Sequence, residues 1–139
     1  MLEWHARISD SLFRLIAPVL PIYEGLADDP HAMAHYRQRM EGWLGATLET
    51  LQAQRRRFYD AMLPELEAMT ARVDRHGYHQ PEFSIADTVI AGDLTGLRLL
   101  YGLSLPPPLT AYFERVEAVF ETSLLPGRPR GAAAAAGSP

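Results

Sequence analysis

The chain has 139 residues, the length of one domain with a tail. Hydrophobic residues make up 47% and charged residues 22%, which excludes a chain that is disordered throughout or fibrous. The absence of cysteine excludes disulfide scaffolding, thiolate zinc sites, cysteine nucleophiles and CxxC redox chemistry, and a formal charge of −4 argues against nonspecific nucleic-acid binding. No run approaches the roughly 18 to 20 apolar residues of a membrane span. The start Met1-Leu2-Glu3-Trp4-His5 lacks the basic-then-apolar order of a secretory signal, so the expected location is the cytoplasm.

In the first segment Leu2, Ile8, Leu12, Leu15, Ile16 and Val19 recur at helical spacing, and Pro18 predicts that this helix ends near Ala17. Residues 21–30 read as a loop. Asp29 followed by Pro30 predicts a helix start, because the carboxylate accepts an orphan N–H and proline gives up a donor that has no partner at N1. Met33, Tyr36, Met40, Trp43, Leu44, Thr47, Leu48 and Leu51 carry that second helix to about Gln54. Beyond Arg55-Arg56-Arg57, the positions Phe58, Met62, Leu66, Met69 and Val73 predict a further helix to about His76, with Pro64 as a possible bend and Gly77 as its left-handed stop.

Ser84 and Asp87 have the spacing of a capping box and open an apolar helix from Ile85 to about Tyr101, with Val89, Ile90, Leu94, Leu97 and Leu100 expected inward. Gly102 ends it. Pro108 or Leu109 starts a last helix through Ala118, with Leu109, Tyr112, Phe113 and Val116 inward. No alternating pattern and no repeat occurs, so the predicted fold is all-α, a bundle of five or more helices over residues 1–125. Residues 126–139 are a low-complexity Ala/Gly/Pro tail with no expected packing.

Two runs carry a family signal: Pro81-Glu-Phe-Ser-Ile-Ala-Asp-Thr88, then, after an apolar helix, Pro106-Pro-Pro-Leu-Thr-Ala-Tyr-Phe-Glu-Arg-Val-Glu117. Their order and spacing resemble the C-terminal all-helical domain of glutathione transferases, in which similar segments supply the capping box of the central helix and the short helix after it. Residues 63–117 carry the match, and residues 1–62 agree in helix order only. Val116-Glu-Ala-Val-Phe120 stands where the family usually reads Arg-Pro after its Arg-Val. The resemblance implies a thioredoxin-like domain ahead of these helices as the holder of the glutathione site. This chain starts directly in the helical part, so no cofactor is expected within it and glutathione only if a thioredoxin-like partner supplies the site.

The resemblance also suggests that the first two helices wall a hydrophobic-substrate site. Trp4, Ile8, Phe13, Arg39 and Trp43 are the candidate substrate-binding residues. His5, Tyr23 and Tyr36 are the candidate acid–base residues, chosen by chemistry and region rather than by motif. The leading reading is a domain that binds a hydrophobic small molecule; if it is an enzyme, it is of the transferase, isomerase or cyclase type without its own glutathione site, with isomerisation or cyclisation of one bound substrate the more natural activity for this chain alone. The alternatives are a protein-interaction module and an inactive truncated transferase. In each case a homodimer or a partner protein is expected to cover an apolar face, and neither nucleic acid nor membrane is an expected partner.

The remaining polar groups read as structural. His31 and His35 have a metal-ligand spacing but no third ligand, so no metal is expected. His76 and His79 flank the Gly77 turn. Ser84 and Asp87 cap a helix, and Asp93 is expected partly exposed or paired with arginine. Arg55, Arg56 and Arg57 spread around a helix and cannot converge on one anion, which makes them a solvated face paired with Asp60 or Glu49.

Overall fold

Helix α1 (Leu2–Ile16) turns Ile8, Leu12 and Leu15 inward, as the helical spacing requires. They pack chiefly against the longest helix, α5 (Arg55–His76), whose buried Tyr59, Met62, Leu66, Met69 and Val73 alternate steps of three and four. In this computed structural model the described residues are 2–23, 25–100, 102–121 and 124, the side chains of Leu2 and Tyr23 excepted. The C-terminal end of the predicted apolar helix and the Ala/Gly/Pro tail therefore lie outside the described residues. Helix α5 continues through Pro64, which sits on the exposed side, where the carbonyl of Asp60 that it leaves unbonded can meet water.

Two breaks in the sequence pattern take a different form in the structure. Residues 21–30, expected as a loop, hold the short helix α2 (Leu20–Tyr23) and a 3₁₀ turn at Leu26–Asp28. The helix expected to run from Asp29 to Gln54 is two helices, α3 (Pro30–Leu44) and α4 (Leu48–Ala53). Its start is as predicted, since the Asp29 carboxylate accepts from the N–H groups of His31 and Ala32 at 2.9 and 3.1 Å. Its interruption comes from Gly45, which adopts a left-handed φ of 68° and donates to the Glu41 carbonyl. Thr47 then caps the new helix by accepting the Thr50 N–H at 3.1 Å. Apolar spacing runs on across this turn because both helices keep their apolar sides on the same small cluster of Ala17, Leu44, Leu48 and Leu51.

Helix α6 (Ile85–Leu94) is shorter than predicted and tightens into a 3₁₀ segment at Thr95–Leu99. The change coincides with Gly96, where an added Cβ would lie 2.9 Å from Cγ2 of Ile16 at the end of α1. Glycine disfavours continuation of the α-helix and lets the two backbones approach. Ile90, Leu94, Leu97 and Leu100 are buried as expected, whereas Val89 is 42% exposed. Val89 lies one turn after Ile85, on the side of α6 turned away from the core. Helix α7 (Pro107–Phe120) opens on consecutive prolines and buries Leu109, Tyr112, Phe113 and Val116, completing a main core shared by α1, α5, α6 and α7. Among the described residues there is no strand, and no helix is long and apolar enough to cross a membrane.

Candidate functional site

The carboxylate of Asp87 is wholly buried and collects four donors: the N–H of His79 at 2.7 Å, the N–H and hydroxyl of Ser84 at 2.9 and 3.1 Å, and the Tyr112 hydroxyl at 3.1 Å. The capping box read from Ser84 and Asp87 is thus present and reaches beyond its own helix, pinning the 77–84 loop and α7 to the start of α6. A buried carboxylate without a cation needs such donors. Burial, with Asp87 alongside, pushes the Tyr112 hydroxyl above the usual phenol range. This arrangement holds the fold together.

His5 forms its hydrogen bond to Asp93 on α6, with Nδ1 2.8 Å from the carboxylate. Asp93 is partly exposed, as read from the sequence, but its partner is a histidine rather than an arginine. Tyr36 donates its hydroxyl to the Ala17 carbonyl at 2.8 Å, which ties α3 to the end of α1. The side chain of Tyr23, the third acid–base candidate, lies outside the described residues. His5 and Tyr36 thus engage different elements, and none of the described clefts is lined by both.

Of the candidate substrate-binding residues, Phe13 and Trp43 do meet, edge to face at 5.0 Å between ring centroids. With Arg14 and Leu44 they line a cleft of about 220 Å³ between α1 and the end of α3, and Trp43 is 59% exposed. Arg14 closes one side, donating to Asp10 and to the Leu44 carbonyl and lying 5.8 Å above the Phe58 ring. Ile8 has no exposed surface and belongs to the core, while Arg39 lies exposed on α3.

Trp4 faces a second cleft of about 270 Å³, together with Arg7, Glu65, Ala68, Arg72 and His79. Arg7 and Glu65 form a two-point ion pair at 2.6 and 3.2 Å across α1 and α5. The indole Nε1 of Trp4 and Nδ1 of His79 are buried and have no hydrogen-bond partner among the described residues. Each such atom costs about 1–3 kcal/mol of desolvation. Burial, and secondarily the Arg72 charge, lowers the His79 imidazole below its usual range and favours the neutral ring. Sequence reasoning placed His79 in a turn and passed over Arg72, because the cleft joins residues from three elements far apart in the chain.

Arg56 and Arg57 lie exposed as the sequence suggests, whereas Arg55 is half-buried beside Gly102, and one of the expected acidic partners goes to another arginine. Arg56 pairs with Asp60 at 2.9 Å, whereas Glu49 is taken by Arg37 in a two-point pair at 2.7 and 2.8 Å. The Arg37 guanidinium holds the Glu49 carboxyl down at about 2. His31 and His35 are exposed, and among the described residues no group of three or more His, Cys, Asp or Glu could hold a metal ion.

Comparison with protein families matches residues 1–128 to the family described as glutaredoxin 2, C terminal domain. No curated protein and no solved structure matches the chain. The all-helical order, the capping box of α6 and the buried face of α7 agree with the predicted likeness to the helical half of glutathione transferases. Fold, motif and family match coincide over nearly the whole chain, which belongs to the glutaredoxin 2 C-terminal domain family, an all-helical domain of the glutathione-transferase type.

Proposed function

We propose that this chain works as the helical module that packs against a thioredoxin-like redox domain, leaving the thiol chemistry to that domain. The observation that carries the reading is the outer side of α6. Ile85 and Val89, one turn apart, are 77% and 42% exposed, and the His5–Asp93 pair lies one turn further along the same side. An apolar strip with a polar end is the anatomy of an interface, with an apolar centre and hydrogen-bonding groups at its rim. The family name supports a domain that accompanies a glutaredoxin, and the absence of cysteine from these 139 residues means that a reactive thiol must come from elsewhere.

The test mixes the full chain with a separately expressed glutaredoxin-type thioredoxin-like domain and follows hydrogen exchange. Protection of α6 and of the first turns of α1 is expected. Ile85→Asp with Val89→Asp should abolish the complex while leaving the circular dichroism unchanged. A complex that tolerates both substitutions overturns the reading.

A second reading, binding of a hydrophobic small molecule, is favoured by the meeting of Phe13 and Trp43 at an accessible cleft. Trp43 emission should then respond saturably to an apolar naphthalene-sulfonate dye, and Phe13→Ala should abolish the response. A dye response indifferent to Phe13 overturns it.

A further inference from the structure

At the end of the apolar strip on α6, His5 is both accessible and held in place. Its side chain is 43% exposed, and Nδ1 lies 2.8 Å from the carboxylate of Asp93, which is itself 26% exposed. Val89 and Gly92 precede Asp93 and are exposed, with open space at the Cβ position of Gly92, so a partner can approach the backbone closely here. The other charged groups near this end of α1 are turned elsewhere or matched. Glu3, Arg7, Glu65 and Arg72 line the cleft on the Trp4 side together with His79, and His5 does not. Asp10 is held by Arg14, and Arg98, just beyond α6, by Glu117 of α7. Asp93 is thus the acid bonded to the His5 ring, and the ring is the group placed to answer its charge.

We infer that a domain docking on α6 selects the protonated form of His5, so that the complex takes up a proton and is favoured as the pH falls from about 8 towards 5, where imidazoles gain their charge. This rests on the docking reading above and adds its regulation and a requirement on the partner. Docking removes the water that reaches Asp93, and an ionised carboxylate is costly to bury without a cation. A neutral His5 leaves that negative charge unmatched, whereas an imidazolium completes a pair with no net charge. Of the two groups the imidazole is the stronger base, so near neutral pH the proton goes to the ring and not to the carboxylate. With both ring nitrogens protonated, Nδ1–H donates to Asp93 and Nε2–H is left to donate outward. The fitting partner therefore sets an acceptor oxygen, a backbone carbonyl or a carboxylate, over His5, and a lysine or arginine at that place opposes docking.

The experiment titrates the full chain with a separately expressed glutaredoxin-type thioredoxin-like domain, its cysteines replaced by serine so that no thiol titrates. Calorimetry at about pH 6 and 8, in two buffers of different ionisation enthalpy, reads affinity and proton uptake together. Uptake is expected, with an affinity that weakens as the pH rises by up to about tenfold per pH unit, the limit set by one proton. His5→Gln should remove the uptake and the slope, and Asp93→Asn, which leaves no charge to answer, should do the same. Both side chains are partly exposed, so circular dichroism should be unchanged. His35→Gln, on the exposed side of α3, should leave uptake and slope intact. A complex that protects α6 from hydrogen exchange but shows no slope, or a slope that His5→Gln does not diminish, overturns this inference and leaves docking on α6 standing. No complex at either pH, or one that leaves α6 unprotected, overturns the docking reading and this inference with it.

Discussion

The Tyr112 hydroxyl donates to the carboxylate and to the backbone carbonyl of Asp87, each at 3.1 Å, with both residues fully buried and 25 positions apart. One hydroxyl proton is shared between the two oxygens, and α7 is thereby locked to the first turn of α6. Tyr112→Phe removes a hydrogen bond to a charged acceptor and should cost about 1.5–3 kcal/mol. Asp87→Ala strands the His79 and Ser84 N–H groups as well and should cost more, at least about 3 kcal/mol. Urea unfolding followed by circular dichroism checks both, and equal costs would show that Tyr112 is the only donor that matters.

Gly45 and Gly42 offer opposite outcomes within four residues. Gly45 sits at a left-handed φ of 68°, so Gly45→Ala should destabilise by about 1 kcal/mol although open space surrounds the added methyl. Gly42 lies inside α3 with nothing near its Cβ position, and Gly42→Ala should stabilise by about 0.5–1 kcal/mol. Opposite shifts of the thermal midpoint are the expected reading.

Close packing at Gly96 predicts a coupled pair. Gly96→Ala forces Ile16 to move from a 2.9 Å contact and should cost about 1–3 kcal/mol. Combining it with Ile16→Ala, which removes the clashing methyl, should cost less than the sum of the two single changes. Additive costs in a double-mutant cycle would place the strain elsewhere.

Glu49 and His79 give stability a pH dependence on the acid side. The Glu49 carboxyl lies at about 2 when folded, against 4.5 ordinarily, so its contribution is complete above 4.5 and is lost as the pH falls from there towards 2. Arg37→Gln should bring the Glu49 midpoint, read by carbon NMR, back towards 4.5. His79 is also lowered, from 6.5, so the folded state resists the proton that the unfolded chain accepts: stability is complete above 6.5 and declines as the pH falls below it. His79→Gln should flatten the unfolding midpoint between pH 6.5 and the folded-state value.

Most helix boundaries were legible locally. Asp29 before Pro30, Gly77 after His76, and Ser84 with Asp87 each satisfy or end a helix through atoms within four residues, so the pattern carries the geometry with it. The turn at Gly45 was equally local, but the apolar spacing that continues from Leu44 to Leu48 concealed it. The capping role of Asp87 was readable, whereas its partners His79 in the preceding loop and Tyr112 on α7 were not, because nothing in a capping box names a residue outside its own four.

The amino-acid sequence alone determined an all-helical domain, its family likeness and the inward face of α5, because caps and periodicity act within a turn or two of the chain. Tertiary structure alone decided that His5 meets Asp93 across 88 positions, that Trp43 stays exposed beside Phe13, and that Trp4, Arg72 and His79 share one cleft. Those relationships depend on how whole helices cross, and the sum of many weak packing contacts that sets each crossing leaves no mark on the spacing of any one segment.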